Sequence, residues 1–173
     1  MATRSVCRFG PLLFGVALSG CGESAAKTGP DADDCAIDVV LSGRIEDHVS
    51  GPQNCGPSGV YASPAAIAAS FMSGPHGDFG IKLFDVTKGQ LGKVRASLSI
   101  IQQPNARGWS TPDASCEIDI TEWRLVDDQF QNFSEYRYLG SGTCSSPALP
   151  FGGTTGEVTF APFTLQAWLL WEH

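Results

Sequence analysis

Phe163-Thr164-Leu165-Gln166-Ala167-Trp168-Leu169-Leu170-Trp171 places Phe163, Leu165, Ala167, Leu169 and Trp171 on one face and alternates them with Thr164, Gln166 and Trp168. A period of two is the signature of a strand with one buried face. The same period runs through Ile37-Asp38-Val39-Val40-Leu41, with Ile45 in phase, and through Phe79 to Val86 and Val94 to Gln102. It recurs in Cys116 to Trp123, Tyr136 to Cys144 and Val158 to Phe160, and Gly59 to Ala62 is a further short candidate. Turn-forming clusters separate these runs, among them Ser50-Gly51-Pro52, Ser73-Gly74-Pro75, Lys88-Gly89-Gln90 and Pro147 to Gly153. Seven or eight short strands so punctuated predict an all-β, antiparallel two-sheet sandwich. One stretch departs from the pattern. In residues 64–72 the alanines, with Ser63 as a cap and Pro64 in the first turn, predict a short helix as readily as a strand. An eight-stranded outer-membrane barrel fits the length but needs strands of ~9–11 residues with an apolar row facing lipid, and most runs here are shorter.

The amino-terminal region has its own grammar. Arg4 and Arg8 precede Phe9-Gly10-Pro11-Leu12-Leu13-Phe14-Gly15-Val16-Ala17-Leu18, and small residues follow. A bilayer span needs about 20 apolar residues, so this run is too short, and a basic start with a short apolar middle marks a secretory signal. Leu18-Ser19-Gly20-Cys21 closes it, and these four positions resemble the lipobox of bacterial lipoprotein precursors. The resemblance implies cleavage before Cys21, a diacylglyceryl group on its thiol and acylation of the new amino terminus. Two or three acyl chains, at ~0.8 kcal/mol per buried CH₂, hold a protein stably on a membrane. Gly22, where lipoproteins kept at the inner membrane carry aspartate, resembles the outer-membrane class. The expected organisation is a signal peptide over 1–20, a lipidated tether over 21–34 (Cys21-Gly-Glu-Ser-Ala-Ala-Lys-Thr-Gly-Pro-Asp-Ala-Asp-Asp34, without a large apolar residue) and one domain over 35–173.

Removing the leader takes two arginines from a chain of 11 basic and 18 acidic residues and moves the formal charge from −7 to −9. Such a surface repels phosphate backbones, so nucleic acid is not an expected partner. With Cys7 lost and Cys21 acylated, Cys35, Cys55, Cys116 and Cys144 remain. An even set in an exported domain implies two disulfides. Cys35–Cys55 and Cys116–Cys144 are the expected pairs because each brackets a local alternating stretch, and each closed loop stabilises by roughly 3–4 kcal/mol in the chain-entropy model. No Cys-x-x-Cys or paired-histidine spacing suggests zinc, and no cofactor motif is present.

Chemistry-bearing residues are sparse. No Gly-x-Ser-x-Gly elbow occurs, and the glycine clusters at 140–142 and 152–156 lack the lysine of a phosphate-binding loop. Arg44-Ile45-Glu46-Asp47-His48 gathers acids beside a histidine, and with His76 it supports an alternative reading as an envelope hydrolase. The acids Asp31-Ala32-Asp33-Asp34 and Asp127-Asp128 lack the framing of a calcium loop. Trp123, Trp168 and Trp171 lie inside alternating runs and belong to the core or its rim. Gln102 to Asp113 is polar and turn-rich, so Arg107 and Trp109 within it are the candidate binding residues, being residue types enriched at contact hot spots.

Cys116-x-Ile118-x-Ile120, Tyr138-x-Gly140-x-Gly142-x-Cys144-x-x-Pro147-Ala148 and Val158-x-Phe160-x-x-Phe163 resemble small secreted β-sandwich lipoproteins of unassigned function in Gram-negative bacteria. These motifs are structural and imply a fold without a site. The expected function is that of a lipid-anchored envelope protein with a non-catalytic domain binding a protein or glycan; a purely structural envelope component is a further alternative.

Overall fold

The computed structural model describes residues 35–57, 60–61, 68–130 and 132–172. The expected leader, the tether and Cys21 lie outside the described residues. Thirteen strands follow one another: β1 (Cys35–Gly43), β2 (Asp47–Val49), β3 (Pro52–Pro57), β4 (Val60–Tyr61), β5 (Ala68–Gly74), β6 (Gly77–Phe84), β7 (Gly92–Gln102), β8 (Arg107–Ser110), β9 (Cys116–Phe130), β10 (Phe133–Cys144), β11 (Leu149–Phe151), β12 (Val158–Phe160) and β13 (Phe163–Glu172). The all-β antiparallel fold expected from the alternation is the fold that forms.

Several short strands are halves of longer ones. β2 and β3 pair with β1 in a single register, Leu41 opposite Asp47 and Ala36 opposite Pro52. β8 and β9 both run along β7, β10 and β11 along β9 and β8, and β12 and β13 along β1. Merging these halves leaves β4, which pairs parallel to β13, and eight staves, each antiparallel to the next in sequence, the last (β12 with β13) pairing with the first. The hydrogen-bonded circuit therefore closes. Opposite walls pack their inner faces together as in a sandwich, around one cluster that includes Ile37, Val39, Leu41, Ile81, Leu98, Ile118, Tyr138 and Leu169. Eight strands give an interior that side chains fill.

The alternation that named the strands also sets the polarity of the wall. Asp38, Thr164, Ser141, Asp119 and Lys93 stand opposite one another on five adjacent strands, and all are exposed. Apolar residues inside and a polar ladder outside invert the pattern of a lipid-facing barrel. Where β10 crosses β13, Gly142 lies opposite Phe163, whose ring fills the space a side chain would take.

One open reading is settled and one expectation needs correction. Of residues 64–72, which suit a short helix or a strand equally, 68–72 belong to β5, while 64–67 lie outside the described residues. Pairing to β3 on one side and β6 on the other overrides the helical preference of alanine. The supposed loop from Gln102 to Asp113 contains β8, which pairs with β7 and β11. Cys35–Cys55 and Cys116–Cys144 are the disulfides, as the spacing suggested; the second joins residues directly opposite in β9 and β10.

Candidate functional site

In an up-and-down barrel the turns alternate between two ends. Four tight connections share one end: Arg44 to Glu46, Pro75 to His76, Gln103 to Ala106, and Gly152 to Glu157. Cys35 enters and Glu172 leaves at the other, beside the Asp85 to Leu91 connection.

The entry end is closed by rings. Trp123 packs against Tyr136, Tyr138 and Trp171 with centroids 5.9, 5.7 and 6.4 Å away, and its Nε1–H donates to the Gln90 carbonyl. The Lys88 ammonium lies 5.1 Å from the Tyr136 ring. On the outer side of β10, Glu135 and Arg137 form an ion pair at 2.6 Å, with side chains 10 % and 7 % exposed. Arg137 also stacks 4.5 Å over Trp168. The sequence reading missed this pair, and its signal is two charges at alternate positions of a strand whose neighbours are aromatic.

At the hairpin end the turns are braced against one another. Trp109 is not the free loop residue expected of it: it is 4 % exposed, and its Nε1–H donates to the Gly156 carbonyl at 3.0 Å. The reason is local, since β8 turns the indole into the barrel between β7 and β11. The Thr154 hydroxyl donates to the Gly108 carbonyl at 2.6 Å, and the Arg44 amide donates to Glu157 at 2.8 Å. Gly152, at φ +64°, brings the β11–β12 turn so close to Arg107 that a Cβ would sit 2.7 Å from the Arg107 Cα. Arg107 itself is exposed, at the start of β8. It lines a cavity of ≈ 420 Å³ with Arg44, Ile45, Gln102, Trp109, Gly153, Thr154 and Thr155. The structure thus brings the two candidate binding residues to one cavity, Arg107 as an open cation and Trp109 as a fixed wall.

Both histidines of the catalytic alternative have carboxylate partners. His48 Nε2 lies 2.8 Å from Asp38 Oδ1, and His76 Nε2 lies 2.7 Å from Asp47 Oδ2. The hydrogen bond from His76, and then that from the His48 amide, hold the Asp47 carboxyl below its ordinary value of 3.8. The His48 and Asp38 side chains are 58 % and 61 % exposed, and the hydrogen bonds of both histidine rings run to carboxylates, with no hydroxyl or thiol partner among the described residues. The pairs brace β2 against β1 and against the β5–β6 turn.

A second depression, ≈ 620 Å³, lies on the outer wall over the polar ladder and includes Asp38, Lys93, Glu117, Asp119, Ser141 and Thr164. Lys93 and Glu117 form an ion pair there at 2.7 Å, which raises the Lys93 ammonium above its usual range. Among the described residues, no group of three or more His, Cys, Asp or Glu is placed to hold a metal ion. No protein-family model, no curated protein and no solved structure matches the chain.

Proposed function

We propose that the chain is a lipid-anchored protein of the bacterial outer membrane, acylated at Cys21 and tethered through residues 22–34, whose barrel binds a protein or glycan partner at its hairpin end. The observation that supports this reading is the polarity of the barrel. The tether would join at Cys35, at the end closed by Trp123, Tyr136, Tyr138 and Trp171. The cavity beside Arg44 and Arg107 opens at the opposite end, which a tether leaves clear of the membrane. A loop of braced hairpins on a closed scaffold is the arrangement by which rigid β-frames present contact residues.

The anchor is tested by expressing the full chain in a Gram-negative host, labelling with radioactive palmitate and separating membranes from soluble fractions. The wild type is expected to incorporate label and sediment with the outer membrane, and Cys21→Ala to lose the label and leave the membrane fraction. Unchanged sedimentation of Cys21→Ala would overturn the lipid assignment.

A further inference from the structure

We propose that the hairpin-end cavity binds a sugar phosphate, with Arg44 and Arg107 holding the phosphate group. This deepens the binding reading above, on which its biological setting rests, but the choice of ligand comes from the cavity itself.

The first argument is charge. In a chain with 18 acids and 11 bases, cations have abundant partners. Accordingly Lys82 pairs with Asp113, Lys93 with Glu117, Arg95 with Asp85 and Arg137 with Glu135. Four cations form no ion pair among the described residues: Lys88, which lies over the Tyr136 ring, Arg124 on β9, and Arg44 and Arg107, the two that share a cavity. Two arginines without an ion pair thus line one cavity. A carboxylate brings a single charge and leaves one of them bare. A phosphomonoester carries roughly −1.5 to −2 at neutral pH and offers three acceptor oxygens, so one group satisfies both. Guanidinium forks match phosphate oxygens in pairs, which adds direction to the attraction.

The second argument is the remaining lining. The Gln102 side chain, whose amide nitrogen donates to the His76 carbonyl at 3.4 Å, offers its carbonyl oxygen, and Thr155 its hydroxyl, as polar groups of the kind that read sugar hydroxyls, and Trp109 supplies an apolar wall. The third is rigidity. Two of the turns that surround the cavity, β1–β2 and β11–β12, are tied to one another and to β8 by the bonds from Trp109 to Gly156, from Thr154 to Gly108 and from Arg44 to Glu157, so little ordering remains to be done on binding.

The test is calorimetric titration of the purified full chain in detergent, with sodium chloride held at a fixed near-physiological concentration. Glucose 1-phosphate, inorganic phosphate and glucose are the three probes. Saturable binding of glucose 1-phosphate, weaker binding of inorganic phosphate and none of glucose is the expected order. Arg44→Gln and Arg107→Gln should each weaken glucose 1-phosphate at least tenfold, Thr155→Glu should abolish it, and Arg124→Gln, on β9 away from the cavity, should leave it unchanged. Absence of saturable binding, equal affinity for glucose, or full affinity in both arginine variants would overturn the proposal. Inorganic phosphate binding as tightly as glucose 1-phosphate would overturn its sugar part. Cys21→Ala should bind glucose 1-phosphate like the wild type, so loss of the anchor and loss of the ligand are separate results.

Discussion

At the end where Cys35 enters, Trp123 packs edge to face on Tyr136 and Trp171 and at a tilt on Tyr138; at the opposite end, hydrogen bonds from Trp109, Thr154 and Arg44 tie the β11–β12 turn to β8 and to the β1–β2 turn. Apolar closure stabilises in proportion to the area withdrawn from solvent, whereas polar bracing contributes little net free energy and much definition of shape. The entry end therefore carries stability, and the hairpin end carries a shaped, charged surface.

The largest expected effect is at the entry end. Tyr138 is fully buried against Trp123, so Tyr138→Ala should lower the free energy of unfolding by about 3–5 kcal/mol in urea denaturation. A loss under about 1 kcal/mol would mean that the ring cluster is not a structural element. Trp109→Phe comes next. It keeps an aromatic ring but leaves the Gly156 carbonyl without its indole donor, at a cost of about 1–3 kcal/mol, and should increase amide exchange in the Gly152 to Glu157 turn. Exchange confined to the entry end would contradict the bracing.

The smallest effect concerns acid. A carboxyl held below its ordinary value stabilises the fold above that value and loses the contribution as pH falls through the folded-state titration. For Asp47 the loss therefore falls below about pH 4. Asp47→Asn should flatten the dependence of stability on pH in that window and leave the neutral range without a slope from this site. Equal acid slopes in the two proteins would show that the His76 contact does not persist in solution.

The parts of the fold written as alternation were legible in the sequence: β1, β6, β7, β9, β10, β12 and β13 all lie in runs where apolar and polar residues exchange places. β2, β3, β8 and β11 were not, because Asp47-His48-Val49, the proline-flanked β3 and Arg107-Gly108-Trp109-Ser110 owe their extended form to a neighbouring strand rather than to their own composition. Closure of the circuit was hidden for the same reason, since the pairing of β1 with β12 and β13 is a long-range fact. Arg107 and Trp109 were recognisable as residues of interest, but their roles were reversed by a strand invisible in the sequence. Arg44 was noted only for its acidic neighbours. Its association with Arg107 depends on two turns brought together by closure, and no local pattern encodes that.

The meander order has a consequence for the history of the chain. Seven pairings join staves consecutive in sequence, each free to form as soon as the next hairpin has emerged, whereas β1 keeps one side open until β12 and β13 arrive. That last pairing spans nearly the whole domain, so the loop-closure cost falls at the end of folding. A chain emerging amino terminus first keeps one edge of β1 unpaired until Val158–Phe160 and Phe163–Glu172 have emerged, and the barrel closes only then.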